Sequence, residues 1–530
     1  MRGSRLGLAL VLAGCLVSAA CGGGVESGDG SASGGTASEA DARTEDTGSQ
    51  VAEPGGSATV LQPVDVQTLD PTTSFNSPAL GSGVLNSLYD VLYTTDQEGN
   101  VLPGVATDFS TPDGLVWTLV LRDGVRFTDG TPFDADAVKT QWDRVRANPR
   151  TSGSSATHDV TAINVVDSLT LEVVLSIPNR RFHDVLALTN MLWIPSPTAF
   201  AAAGDRFGEA PVGAGPFVLQ SRTPNNQTVL ARNPDYWQQG LPNLDTLTFA
   251  TVVEPQSAYD TLAGGGADAA LYMPDPFAVQ ARDAGFTLYG TDQVGGSAWL
   301  FGSSRAPFDD PRAREAVYLA LDMEDLNQNF ANGASDVPTT FFPESSPFYN
   351  PEITIPEPDP VEAQRLLDEL AAEGRPVSFT IVTTPGDLAQ RAVYVQTQLS
   401  RFDNLDVAVE TLDSATFGPT LFSGNFDMAP FTFVGIGPAP TVSIMRTSHP
   451  IPTASMGSPV IDEAVQEART ATDLAGQRAA YDRLTRELNE LYRIKWIARD
   501  YAWVAMAPDV TGVTTYGRGS QIFTEFGFTV

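Results

Sequence analysis

The sequence predicts a mixed α/β chain of two or three domains, and three observations carry that expectation. Strand-like and helix-like stretches alternate along the chain, and no short internal repeat suggests a solenoid. About 470 residues follow an N-terminal tether, more than one ordinary hydrophobic core accommodates.

The individual elements are read in order. VWTLVLRDGVRF (116–127) predicts a hairpin, with Trp117, Leu119 and Leu121 alternating, Asp123-Gly124 as the turn, and Val125 and Phe127 resuming. Asp134 then predicts an N-cap, because Val138, Trp142 and Val145 follow on one helical face. INVVDSLTLEVVLS (163–176) predicts a second strand-turn-strand unit around Asp167-Ser168. Asp310-Pro311 and Asp359-Pro360 each predict a capped helix start, and Gly374 a stop for the second helix. Residues 474–492 predict a long amphipathic helix with Tyr481, Leu484, Leu488 and Leu491 on its apolar side.

The N-terminus reads differently. Arg2 and Arg5 precede an apolar run over 6–20 that ends in small residues, the pattern of a secretory signal peptide over 1–20. Residues 22–56 carry seven acids and one Arg, with no aromatic residue, Leu, Ile or Met. Such a segment cannot bury enough apolar surface to order itself, so 21–56 is expected to be a disordered tether. Cys15 and Cys21 are the only cysteines. Signal, cysteine and tether together resemble a bacterial lipoprotein, which implies a lipid on Cys21, with Cys15 as the alternative.

Composition excludes several classes. The formal charge of -33 argues against nucleic acid as a partner, and against anionic membrane surfaces. Neither Lys139 nor Lys495 follows a glycine, so there is no P-loop, and no Gly-x-Ser-x-Gly elbow occurs. His158, His183 and His449 lack metal-ligand spacing. No cofactor or metal is therefore expected, and no catalytic residue is assigned.

The order of longer motifs is more specific. TLDP (68–71), LYDVLYTTDQEGNVLPGVATDFSTPDGLVWTLVLRDGVRFTDGTPFDADAV (88–138), PVGAGPFVL (211–219), RNPDYW (232–237) and APFDDPRAREAVYLALD (306–322) occur in succession. This series resembles the family 5 solute-binding proteins of ABC importers, the dipeptide, oligopeptide and nickel-binding group. The resemblance runs from about residue 57 to 530. It implies a two-lobed, periplasmic-binding-protein-like fold (type II, cluster C-like) with an extra inserted subdomain in lobe I. Lobe I would comprise 57–300 and 498–530, with the insertion near 86–212, and lobe II 301–497. The chain would cross between lobes near 297–304 and 497–504.

The implied function is capture of a peptide or other medium-sized organic solute and its delivery to ABC permease subunits. The receptor would be a monomer, lipid-anchored on the outer face of the cell membrane. Peptide-binding members carry a lobe II acid that meets the peptide's amino terminus. The corresponding stretch here, after GNFDMAPFTFV (424–434), has no acid between Met428 and Met445. A buried ammonium without an acidic partner is unfavourable, so a standard free-amine dipeptide grip is not expected, and nickel chelates, glycosides and hydrophobic compounds stay open as ligands. Asn76, Tyr272, Trp299, Phe433 and Arg446 are the ligand-binding residues the resemblance suggests. A secreted lipoprotein hydrolase is the alternative from another class.

Overall fold

The computed structural model describes residues 51–530 except 73–81, 97, 150, 291–292, 434–444, 446–456, 500, 518 and 530. The signal peptide, both cysteines, Asn76, Arg446 and the stretch 434–444 therefore lie outside the described residues.

Two large sheets and one smaller sheet organise the rest. The first sheet has seven strands in the order Thr287–Tyr289, Val504–Met506, Ala269–Leu271, Ser57–Gln62, Thr246–Thr251, Gln227–Arg232, Phe217–Thr223. Its centre is parallel: Ser57–Gln62 runs alongside Thr246–Thr251 on one side and Ala269–Leu271 on the other. Burial on both faces explains the near-continuous apolar run of that strand, where Ala58, Val60 and Leu61 are all buried. The second sheet has five strands, in the order Leu405–Thr411, Val377–Thr383, Met428–Phe433, Gly296–Phe301, Ile494–Ala498.

The small sheet is antiparallel, in the order Ala106–Ser110, Val116–Leu121, Thr170–Leu175, Val160–Asp167. Trp117, Leu119 and Leu121 alternate into its core, and the helix Ala135–Ala147 covers them through Val138, Trp142 and Val145. Asp134 caps that helix by accepting from the Ala137 amide at 2.9 Å. The hairpin expected over 116–127 does not form. Val116–Leu121 pairs with Ala106–Ser110 and Thr170–Leu175 instead, and Val125 and Phe127 turn inward, where Phe127 meets Phe133 at 5.0 Å. The second predicted unit does form, as the antiparallel pair Val160–Asp167 and Thr170–Leu175.

The helix signals hold: Pro311–Ala320 and Pro360–Ala372 follow their Asp caps, and Gly374 leaves the second at φ +79°. The amphipathic helix spans Leu474–Leu491.

The sequence motifs prove to be joints of the fold. A Cβ on Gly213 or Gly215 would collide with the backbone of Leu88 or Ser87, so the PVGAGPF turn packs directly on the helix Ser82–Tyr89. Asn233 of RNPDYW donates to the Gly215 carbonyl at 2.8 Å. In the same motif the Tyr236 hydroxyl and Trp237 indole donate to the buried Asp90 carboxylate, at 2.7 and 2.8 Å.

Candidate functional site: a cavity between two sheets

The chain passes between the large sheets twice. Thr287–Tyr289 belongs to the first sheet and Gly296–Phe301 to the second; Ile494–Ala498 belongs to the second and Val504–Met506 to the first. The first passage therefore precedes the expected 297–304, whose residues 297–301 are strand of the second sheet. Glycine sets that position. A side chain on Gly295 would strike the Phe433 carbonyl and one on Gly296 the Ala498 carbonyl, which lets three strands meet where the chain enters the sheet.

The second passage is tied down at both ends. Arg499, 3% exposed, donates to the Thr340 carbonyl at 2.8 Å and pairs with Asp336 at 3.3 Å. Tyr501 donates its hydroxyl to the same Asp336 at 2.9 Å. Its ring stacks on Trp503 at 5.1 Å, and the Trp503 indole donates to Asp275 at 2.8 Å. Two stacked rings thus connect an acid beside the second sheet to an acid beside the first.

A cavity of about 270 Å³ opens against these passages. Tyr272, Met273, Pro274, Asp275 and Pro276, which follow the first-sheet strand Ala269–Leu271, line one wall. Ala331, Asp387, Leu388 and Arg391, from helices packed beside the second sheet, and Ser335, from the loop after the first of these helices, line the other. Ser297, Ile497, Ala498 and Tyr501 form its floor. Asp387 opens the helix Asp387–Leu399 and pairs with Arg391 one turn later, at 2.5 Å. Burial pushes the Asp275 carboxyl above its usual range; hydrogen bonds from Ser335 and Trp503 and the charge of Arg391 pull against that, while Asp336 adds to it. The cavity thus offers carboxylates from both walls and one guanidinium.

Of the residues suggested by sequence, Tyr272 lines this cavity, in a left-handed turn at φ +53°. Burial pushes its hydroxyl pKa up. Trp299 does not line it. Strand alternation puts Ser297 and Trp299 on one face, but Ser297 reaches the cavity floor while Trp299, two residues further along the strand, is fully buried with Phe301 and Phe308. Phe433 is likewise fully buried, against Phe431 and Trp496 at 4.6 and 5.6 Å. Asp275, Asp387, Arg391 and Tyr501 were not anticipated. The one local signal was the Asp275-Pro276 pair, which resembles the Asp-Pro starts elsewhere in the chain; here Pro274 takes the cap position and the Asp275 carboxylate makes no cap hydrogen bond, accepting from Trp503 instead.

Residues 100–452 match the family described as bacterial extracellular solute-binding proteins, family 5 middle. The chain belongs to this family. It is 24% identical over 463 residues to the periplasmic murein peptide-binding protein MppA of Escherichia coli K12, covering 80% of this chain and 84% of that one. It is 30% identical over 306 residues to the glutathione-binding protein GsiB of Salmonella paratyphi A, but over only 57% of this chain and 59% of that one. Among solved structures, NikA from Brucella suis in complex with Fe(III)-EDTA superposes with a TM-score of 0.77 at 23% identity, over 89% of this chain and all of that one. The periplasmic binding protein DppA from Helicobacter pylori in complex with the peptide STSA gives 0.76 at 21% identity, over 90% and 99%. The family 5 fold is two-lobed and α/β, and the role it carries is extracytoplasmic solute binding.

Proposed function

We propose that this family 5 protein captures a peptide or peptide-sized organic solute in the cavity between its lobes and hands it to the membrane subunits of an ABC importer. In this reading lobe I is built on the first sheet with the small sheet inserted, and lobe II on the second. The observation that carries it is the shared cavity: its walls come from both sheets, and its floor from the strands and passage that join them. A hinge at the floor lets the walls approach, enclose a solute and present one closed shape. The relatives MppA, a murein peptide-binding protein, and DppA, solved in complex with the peptide STSA, support a peptide-class ligand.

The cavity also supplies what the stretch after Phe433 lacks in sequence. Asp275 and Asp387 can meet a cationic group and Arg391 an anionic one, so a zwitterionic solute has partners on both walls. Cys21, or alternatively Cys15, would hold the receptor at the membrane through acyl chains.

Capture from a mixed tripeptide library, read by mass spectrometry, tests the proposal. The purified chain is expected to retain a subset of tripeptides, and Ser297→Trp, which fills the cavity floor, to retain none of them. Equal retention by both proteins would place the binding elsewhere.

A further inference from the structure

Beside the large cavity lies a smaller one of about 70 Å³, at the carboxyl ends of the parallel strands Ser57–Gln62, Thr246–Thr251 and Ala269–Leu271. Tyr272, Met273 and Pro274 line both, so the two adjoin. Crevices outside the carboxyl ends of parallel strands are where open α/β sheets bind ligands.

The small cavity is lined by apolar side chains. Leu61 and Ala270 are partners across the parallel ladder and turn to the same face, while Gln62 and Leu271 alternate to the other. Leu61, Ala270 and Met273 are buried in one apolar cluster, against which Val252 and Ala258 pack. Ala258 belongs to the helix Pro255–Ala263, whose first residue also lines the cavity. Val253, another lining residue, is 69% exposed, and Pro274 is exposed too, so these two mark the rim. None of the described lining residues is charged.

Protein interiors are close-packed, so an apolar void adjoining a solute cavity is room for a group that the solute brings. An apolar cavity of about 150 Å³ takes a benzene ring, and half that volume fits roughly three or four carbons. We propose, resting on the reading of the large cavity as the solute site, that this pocket is a side subsite that takes a short aliphatic side chain of valine or leucine size. Each methylene moved there from water is worth roughly fourfold in affinity. A carboxylate or an ammonium would give up its water without meeting a counter-charge.

Two readouts keep the pocket and the solute site apart. The chain labelled with [methyl-¹³C]methionine is titrated with isobutanol, isobutyrate and isobutylammonium while the Met273 methyl signal is followed, assigned by its loss in Met273→Leu. Isobutanol is expected to shift it saturably, with the two ions roughly tenfold or more weaker. Ala258→Leu, which fills the pocket, and Val253→Trp, at the exposed rim, are each expected to keep the signal and lose the shift. In tripeptide capture the unsubstituted chain is expected to favour members containing Val or Leu, and Ala258→Leu to retain tripeptides without that preference. A Met273 signal that ignores isobutanol or moves equally with all three fragments would overturn the assignment. So would an undiminished shift in both variants, or an unchanged preference in Ala258→Leu. Failure to retain any tripeptide counts against the peptide reading of the large cavity, while the isobutanol shift still decides the pocket.

Discussion

Lys495 is 4% exposed in the strand Ile494–Ala498, its ammonium 4.2 Å from the centre of the Tyr318 ring. Burial pushes its pKa down from 10.5 to about 7, Asp322 opposing only in part. Between pH 7 and 10.5 the unfolded chain binds more protons than the folded one, so this residue makes stability rise with pH across that window. Lys495→Met is expected to stabilise the fold by roughly 2–4 kcal/mol at neutral pH and to flatten that slope, read by thermal melts at several pH values. Asp275 has the opposite sense. Its raised pKa gives a contribution that is full below its unfolded value and lost as pH rises through the folded one. Asp275→Asn is therefore expected to raise the melting temperature at neutral pH while weakening solute binding about tenfold, measured by calorimetry with a retained tripeptide. At this scale the sequence was least legible. Trp299 and Phe433 are aromatic and close to the hinge in sequence, but depth below the cavity edge depends on strand position, which a linear reading does not give.

Elements were easier to read, because their signals are local. Asp134, Asp310 and Asp359 cap the helices they were expected to cap. The hairpin over 116–127 failed for the converse reason: Asp123-Gly124 marks a turn, but the partners of Val116–Leu121 come from residues before it and about 50 positions after it. The joints between elements carry the family motifs, and their chemistry gives a second kind of prediction. Asp90 is buried and held by Tyr236 and Trp237, so Asp90→Ala leaves two donors unpaired and is expected to cost about 3 kcal/mol in urea unfolding. Gly215→Ala forces the PVGAGPF turn off the helix Ser82–Tyr89 and is expected to cost about 2 kcal/mol or more by the same measurement.

For the molecule as a whole, the order of motifs made the family legible, while the chemistry of the cavity was not. Tyr272, Asp275, Asp387, Arg391 and Tyr501 come from segments more than 100 residues apart, and only the folded sheets bring them together. Arg469 links the region of the small sheet to the second-sheet side. Arg469, on the helix Pro459–Thr470, pairs with Asp159 at 3.0 Å, and its carbonyl accepts from the Arg180 amide at 2.7 Å. Arg469→Ala is expected to weaken tripeptide affinity about fivefold by loosening the contact between these two regions, and the exchange of charges in Asp159→Arg with Arg469→Asp to restore part of it.

In the proposed function a solute is held between the two sheets. Hydrogen exchange on the chain with and without a retained tripeptide tests it most directly. Protection is expected to rise together in residues 269–276 beside the first sheet, in 386–392 beside the second, and in 497–504 between them. Protection that rises on one side alone, or only away from all three segments, would contradict the account.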